Sequence, residues 1–367
     1  MTSSAESTHS SPAPAVMRPG PVRRRTGCSM ARVAAVFAAM ACSTSPPALP
    51  PGADAPAAER LRETVDRLAG RVWNPGRLAA AKERADELGL GTLGRSERID
   101  WFTVQRNHMI TIPGRSEGIA YVVAHYDKTD ESPLKLASLL VNGAIDELVG
   151  WTYASQGAWD NATGVALALE LARTLQSMEP RLTWRILLTG AEESGLRGAR
   201  AHVSRLSDTE WRRVRFAINL DTLAADDRPD CVVNDASDPE LAVQALDAAR
   251  AEGVELALGR MPAGAAGDHA PFARTGFWHD FGRGLMFNLA GGLLPQRSWF
   301  TGSHGTRVLT LSSCDPTDWT DLVAASFFLP VGRLHGPRDR AARLDPVRLH
   351  DDLRVLRRLV AVLDAEP

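Results

Sequence analysis

The sequence predicts an α/β fold built on a largely parallel β-sheet, and two patterns indicate it. Short apolar, β-branched runs typical of buried strands alternate along the chain with segments that repeat apolar residues at helical spacing. Strands that alternate with helices are the pattern of a parallel sheet with helices packed on it. A chain of 367 residues is long enough for one large domain of this kind.

The predicted strands are short apolar runs that end at turn residues or at polar residues. They are the segments 101–112, 119–124, 184–188, 215–220 and 308–311. The run 119–124 (Ile-Ala-Tyr-Val-Val-Ala) has no charged residue, so we expect this strand to be buried on both faces.

The predicted helices carry apolar residues on one stripe. They are the segments 59–68, 77–88, 198–206, 238–252 and 348–363, together with a helix that opens at Asp160. The stripe of that last helix contains Val165, Ala168, Leu169, Ala172 and Leu175. The stretch 128–159 reads as an insertion with a helical segment at 134–148.

The first 58 residues do not resemble a folded domain. Three arginines at 23–25 precede an apolar stretch at 33–41, which is the order found in an export signal. We therefore expect an export signal region over 1–42, a Pro/Ala-rich linker over 43–58, and the catalytic domain over 59–367. The true start could be Met17 or Met30. We expect the protein to be exported to the periplasm or secreted. A lipid anchor at Cys42 is an option, since the residues before Cys42 loosely resemble a lipoprotein cleavage site.

The composition excludes several classes of protein. The formal net charge is -2 with both signs mixed along the chain, so no nucleic-acid partner is expected. No run reaches the ~18 apolar residues of a membrane span. Cys231 and Cys314 could pair in an exported protein, but two distant cysteines do not establish a disulfide. No C-x-x-C pair occurs, so a metal would need histidine and carboxylate ligands.

Potential metal ligands follow three of the predicted strands. His125 and Asp127 follow the first, Glu192 and Glu193 the second, and Asp221 the third. In α/β sheets the functional crevice lies outside the carboxyl ends of the strands, so we expect these side chains to converge. Two zinc ions ~3.5–4 Å apart, joined by a bridging carboxylate, could activate a water there. One unligated carboxylate would remain to take the proton from that water.

Four short motifs follow one another along the chain: A-H-Y-D at 124–127, W-D-N-A-T-G at 159–164, A-E-E-S-G at 191–195 and N-L-D at 219–221. In this order they resemble the motifs of the di-zinc exopeptidases that include bacterial secreted leucyl-type aminopeptidases. The resemblance covers residues 107–363. It implies a three-layer α/β/α fold with a central mixed, largely parallel sheet, and a zinc-dependent aminopeptidase that acts on peptides with a free N-terminus.

The resemblance also implies a role for each site residue. Asp160 would bridge two zinc ions, and His125 and Asp221 would complete one of them. Glu193 and a histidine late in the chain would complete the other. Glu192 would be the general base. The remaining residue of the first motif, Asp127, would orient the ring of the ligating histidine beside it.

His335 is the expected late ligand. The segment around it resembles the family's H-T-x-x-D-T, although Gly336 and Arg340 stand where the family has threonines. His269 and His304 are the alternatives. His269 lies in a segment similar to the family's S-D-H-x-x-F, which is near the site but supplies no ligand.

Two other functions stay open. Glutaminyl-peptide cyclotransferases share the fold and use one zinc, and A-H-Y-D-K at 124–128 resembles their H-Y-D-S-K. Against this, Leu334 stands where that family has tryptophan before its last histidine. A non-catalytic relative that serves as a binding module would be expected to lack a ligand or the base, and none is missing. The stretches 128–159 and 277–304 are expected to shape the pocket.

Overall fold

The centre of the fold is one mixed β-sheet. The computed structural model describes residues 54–101, 103–129, 155–259, 267–273, 305–314 and 334–366. Within these residues the strands are β1 Gly94–Arg98, β2 Arg106–Ile112, β3 Ile119–His125, β4 Thr183–Thr189, β5 Val214–Leu220, β6 Asp230–Val233, β7 Ala257–Gly259 and β8 Arg307–Ser313. Their order across the sheet is β1-β2-β4-β3-β5-β8-β6-β7.

The middle of the sheet is parallel. Strand β3 pairs in parallel with both β4 and β5, and β5 pairs in parallel with β8. Antiparallel pairs join β1 to β2, β2 to β4 and β6 to β8, whereas β7 runs parallel to β6. The carboxyl ends of β4, β3 and β5 therefore lie side by side at one edge, as the predicted fold requires.

Helices cover both faces of the sheet. The described helices are α1 Ala55–Ala69, α2 Asn74–Glu87, α3 Thr163–Met178, α4 Arg197–Arg205, α5 Asp208–Arg213, α6 Pro239–Glu252, α7 His269–Ala273 and α8 Pro346–Ala365. Apolar side chains of α1, α2, α3, α6 and α8 pack in the larger core on one face. Side chains of α5 and α7, and residues in and after α4, pack in a second core on the other face. The predicted three-layer α/β/α architecture is confirmed.

The strand predictions succeed where a run is fully buried. All seven residues of β3 are buried, and the predicted stripe of α3 is fully buried as well. The prediction of a strand from residue 101 is wrong for Trp101 and for 103–105, because β2 begins at Arg106 and Trp101 is 82% exposed. Strand β1 was not predicted, because its sequence Gly-Arg-Ser-Glu-Arg is polar and its pairing with β2 alone places it at the edge of the sheet.

Helix α1 ties the first described residues to the rest of the fold. It begins at Ala55 rather than Glu59, and the Asp54 side chain caps it by accepting the Ala57 N–H at 3.2 Å. The predicted linker over 43–58 is therefore too long by four residues. Asp54 also accepts a hydrogen bond from Arg357 of α8 at 3.1 Å. Further along α1, Arg60 forms a partly buried ion pair with Glu170 of α3 at 2.7 Å.

Several predictions fall on residues that the structure does not describe: the export signal, most of the linker, the helix at 134–148 and the stretch 277–304. Among the described helices, none is long and apolar enough to cross a membrane. The pairing that the sequence left open is present, since Cys231 and Cys314 form a disulfide with Cα atoms 5.6 Å apart. This bond joins β6 to the end of β8.

Candidate metal centre

Three neighbouring strands end at the site. Strand β3 ends at His125, β5 is followed directly by Asp221, and the turn after β4 carries Glu192 and Glu193. The backbone N–H of Asp221 donates to Leu311 O on β8 at 3.1 Å. Because these strands are parallel neighbours, the four side chains meet at one edge of the sheet, where the sequence placed them.

Asp160 comes to the same edge from a turn, not from a regular helix. The sequence predicts a helix that opens at Asp160, but the turn Ala158–Ala162 has non-helical backbone at Asp160 and Asn161, and α3 begins at Thr163. The Asn161 side chain holds this turn, since its amide donates to Leu220 O at 2.8 Å and its oxygen accepts the Gly164 N–H at 3.0 Å. The prediction is wrong here because the side chain of Asn161 replaces the first helical hydrogen bonds.

Gly164 permits this close packing of α3 against β5. A Cβ atom at this position would lie 2.5 Å from Leu220 O and 2.4 Å from the side-chain oxygen of Asn161. Since Cβ atoms do not approach other atoms so closely, any larger residue would displace the turn that carries Asp160.

Two groups of potential ligands share the Asp160 carboxylate. His125 Nε2 lies 3.0 Å from Asp160 Oδ1 and 3.3 Å from Asp221 Oδ1. His335 Nε2 lies 3.1 Å from Asp160 Oδ2 and 2.9 Å from Glu193 Oε2. In each group the candidate ligand atoms lie within 4.8 Å of one another. Asp160 thus presents one oxygen to each histidine.

This donor set fits zinc. Each group offers one imidazole nitrogen and two carboxylates, which are ligands that zinc takes in open, catalytic sites. Asp160, Glu193 and Asp221 are all at most 8% exposed. Buried carboxylates are costly unless a cation or hydrogen-bond donors compensate their charge. The residues present therefore suit metal ions on both sides of Asp160.

Asp127 holds the turn that carries the two glutamates. Its carboxylate accepts the backbone N–H of Glu192 at 3.2 Å and that of Glu193 at 3.3 Å. His125 Nδ1 lies 3.1 Å from the backbone oxygen of Asp127 and 3.6 Å from its Oδ1. The sequence predicts that Asp127 orients the histidine ring, and these contacts place its backbone oxygen nearest to that ring. Its hydrogen bonds to the glutamate turn were not foreseen.

Burial and charge shift the pKa values of the site in opposite directions. Burial raises the pKa of the Glu192 carboxyl well above its usual value, and burial also raises that of Asp221. Burial alone would lower the pKa of His125, but Glu192 and the carboxylates around the ring outweigh it and raise the value well above the usual one. Burial would raise the pKa of Asp160, yet hydrogen bonds from His125 and His335 lower it. Asp160 is thus stabilised as the anion.

Two further buried carboxyl groups lie beside the site, and the sequence reasoning assigned neither a role. Asp268 accepts a hydrogen bond from the Thr189 hydroxyl, and burial raises its pKa to about 7. Asp339 accepts a hydrogen bond from the backbone N–H of Trp159 at 2.6 Å. Burial, followed by the charge of Asp160, raises the pKa of Asp339 to about 6. The sequence offered one signal for both aspartates, because each lies within a segment that resembles a motif of the family.

His269, one of the two alternative late ligands, does not join the site among the described residues. His269 is buried in α7 but belongs to none of the groups that could hold a metal among those residues. His304 lies outside the described residues. His335 is the histidine that completes the second group.

The sequence model of peptidase family M28 matches residues 107–289, a span that contains His125, Asp160, both glutamates and Asp221. Residues 107–289 belong to peptidase family M28. The chain is 29% identical over 160 residues to aminopeptidase YwaD of Bacillus subtilis, a match that covers 43% of the chain and 30% of YwaD. The chain therefore spans less than a third of the length of that curated relative.

Solved structures share the fold of this chain at low sequence identity. The glutaminyl cyclase of an Acidobacteriales bacterium superposes with a TM-score of 0.58 and 16% identity, covering 87% of this chain and 97% of the cyclase. The LapA aminopeptidase of Legionella pneumophila superposes with a TM-score of 0.55 and 16% identity, covering 84% and 72%. These likenesses concern the fold alone.

Proposed function

We propose that the protein is a zinc-dependent aminopeptidase that uses two zinc ions to remove residues from the free N-termini of peptides. The observation that carries this proposal is the Asp160 carboxylate, which offers one oxygen to the group of His125 and the other to the group of His335. A carboxylate shared in this way is what a pair of metal ions requires. Membership of a peptidase family supports the same reaction class.

The ligands of the two ions follow from these groups. His125, Asp160 and Asp221 would hold one zinc, and Asp160, Glu193 and His335 the other. When bound, two adjacent zinc ions lower the pKa of a shared water and polarise the carbonyl of the peptide bond.

Glu192 acts as the general base in this proposal. Its carboxylate takes the proton from the attacking water and later returns it to the leaving amine. Burial raises the pKa of Glu192, which suits a group that must both accept and release a proton near neutral pH. Asp127 keeps Glu192 in place through the backbone N–H of the turn.

The cyclase alternative would need only one zinc. Cyclisation of an N-terminal glutamine uses the substrate's own amine as the nucleophile, so one polarising ion is enough. In this chain both groups of ligands are complete, including the His125 and Asp221 pair that a second ion needs. A binding module without catalysis would not need a base beside two complete groups. Both observations favour hydrolysis.

The assay for the reaction uses aminoacyl-p-nitroanilides and short peptides. We expect release of free amino acid from substrates with an open N-terminus, no release from N-acetylated ones, loss of activity with a chelator and recovery with zinc. Formation of pyroglutamyl peptide and ammonia from Gln-peptides, without hydrolysis of Leu- or Ala-peptides, would identify the cyclase instead.

The localisation is also a proposal. Export, with or without a lipid on Cys42, is supported by the basic and apolar order of residues 1–42 and by the Cys231–Cys314 disulfide, because disulfides persist mainly in oxidising compartments. N-terminal sequencing and intact mass of native material should give a start at Cys42 or Ser43. Retention of Met17 or Met30 would contradict export by this signal.

A further inference from the structure

Asp160 and His335 are proposed ligands that both lie in turns, outside the strands of the sheet. His125 ends β3, and Asp221 follows β5, so the sheet fixes both. Asp160 lies in the turn Ala158–Ala162 with non-helical backbone. His335 lies in another turn, with a left-handed φ of 53°. Something other than the sheet must therefore set the distance between Asp160 and His335.

Asp339 makes the direct link between these two turns. It lies four residues after His335 and is 0% exposed. Its Oδ1 accepts the backbone N–H of Trp159, the residue before Asp160, at 2.6 Å. Its Oδ2 accepts the hydroxyl of Ser155 at 2.8 Å, and its backbone oxygen accepts the N–H of Gln156 at 3.0 Å. One residue thus joins the segment that leads into Asp160 to the segment that carries His335.

The segment that Asp339 holds is itself fixed. Ser155 Oγ accepts the N–H of Gly157 at 2.9 Å. The guanidinium of Arg77, which is 0% exposed, donates to Gln156 O at 2.8 Å and to Gly157 O at 2.7 Å. Because the end of the link at 155–157 is anchored, a change at Asp339 is expected to move His335 relative to Asp160.

We propose that Asp339 is a positioning residue that sets the geometry of the Asp160, Glu193 and His335 group and thereby its affinity for zinc. The proposal rests on the proposed function, because it takes this group as a metal site. Asp339 acts through the Trp159 backbone and the chain that leads to His335. Residues that orient metal ligands typically change the metal affinity ~10–100-fold when they are removed.

A buried aspartate that accepts backbone N–H groups also stabilises a fold, so the test needs a matched control. Asp364 of α8 provides it. It is likewise buried and accepts the N–H of Arg181 at 2.6 Å, the N–H of Leu182 at 2.9 Å and the indole N–H of Trp184 at 3.0 Å. These contacts lie at the start of β4, the end of the strand opposite to the glutamate turn. Removal of the Asp364 carboxylate should lower the stability of the fold and leave the zinc affinity unchanged.

The experiment titrates zinc into metal-free wild-type protein and into the Asp339→Ala, Asp339→Asn and Asp364→Ala variants, with a competing chelator that buffers free zinc. Urea unfolding of the same metal-free samples reports stability. We expect two zinc ions in the wild type and a ~10–100-fold weaker affinity for one of them in Asp339→Ala. Asp339→Asn keeps an oxygen for the Trp159 N–H, so its zinc affinity should lie between those of the wild type and Asp339→Ala. Asp364→Ala should lose stability and keep both zinc affinities.

Wild-type zinc affinities in Asp339→Ala would overturn the proposal, and so would an equal loss of affinity in Asp364→Ala. If Asp339→Ala does not fold, Asp339→Asn and Ser155→Ala carry the test: a weaker affinity for one ion supports the proposal, and unchanged affinities in both contradict it. A wild-type protein that binds no zinc would instead contradict the proposed function.

Discussion

Glutamine substitutions at Glu192 and Glu193 form a matched pair that separates the base from the ligand. The two residues are neighbours in one turn, and Asp127 holds both through their backbone N–H groups. Glutamine has nearly the same shape as glutamate and keeps those backbone hydrogen bonds, so neither substitution should displace the turn. The two side chains have different proposed roles. Glu193 Oε2 lies 2.9 Å from His335 Nε2 and is a proposed ligand, whereas Glu192 is the proposed base.

The expected magnitudes follow from these roles. Loss of a general base lowers kcat by ~10²–10⁴, which corresponds to about 2.7–5.5 kcal/mol in the activation free energy, at ~1.36 kcal/mol for each factor of ten. Glu192→Gln should show this loss with two zinc ions still bound. Glu193→Gln removes one of the three side chains around the second ion, and an amide is a weaker zinc ligand than a carboxylate. The bound zinc should therefore fall towards one ion per chain.

The measurement combines steady-state hydrolysis of an aminoacyl-p-nitroanilide with a metal count by mass spectrometry on the same preparation. Thermal unfolding of each metal-free variant controls for misfolding. Near-normal kcat in Glu192→Gln with two bound ions would refute the assignment of the base. If Glu192→Gln loses a metal and Glu193→Gln keeps both, the two roles are reversed.

Three further predictions concern stability. Arg77→Met removes the hydrogen bonds of a buried guanidinium to four backbone carbonyls and should lower the free energy of unfolding in urea by about 3–5 kcal/mol; an unchanged value would contradict the role of this residue. Replacement of both Cys231 and Cys314 by serine opens a link between residues 83 positions apart and should lower stability by about 2–4 kcal/mol, whereas an equal melting temperature would indicate that the bond contributes nothing. The hydrogen bond from His202 is the main reason that the pKa of Glu97 falls from 4.5 to about 2. The stabilisation that ionised Glu97 gives the fold is therefore complete above pH 4.5 and disappears as the pH falls through about 2. The difference in the free energy of unfolding between the wild type and Glu97→Gln should shrink across that range.

The sequence was most informative where a ligand directly follows a buried strand. His125, Glu192, Glu193 and Asp221 could be placed at one sheet edge because an apolar run fixes where a strand ends, and parallel strands end together. The sequence also placed Asp160 at this edge, but it did not predict the non-helical backbone of the turn that carries Asp160. The bonds that Asn161 makes to Leu220 O and to the Gly164 N–H depend on how α3 packs on β5, and local sequence does not encode that contact.

Residues that act through long-range contacts were missed. Asp339 reaches Trp159 across 180 positions, and Asp268 reaches Thr189 across 79. The sequence shows Arg77 as an ordinary basic residue on a helix, yet its buried side chain donates to backbone carbonyls of three separate segments. Burial of a single polar residue produces no periodic pattern, so composition and spacing cannot reveal it. Strand β1 was missed for a related reason, since its polar sequence carries no apolar pattern and its place in the sheet depends on pairing with β2.

The contact between Asp54 and Arg357 has a consequence for the timing of folding. The two residues are separated by 303 positions, and ribosomes add ~5–20 residues per second. About 15–60 s of synthesis therefore separate the cap of α1 from its partner in α8. During that interval α1 cannot complete its packing, and the emerging chain has to remain without its final fold. Under the export proposed above, this delay would give the export machinery time to engage the N-terminus before the domain closes.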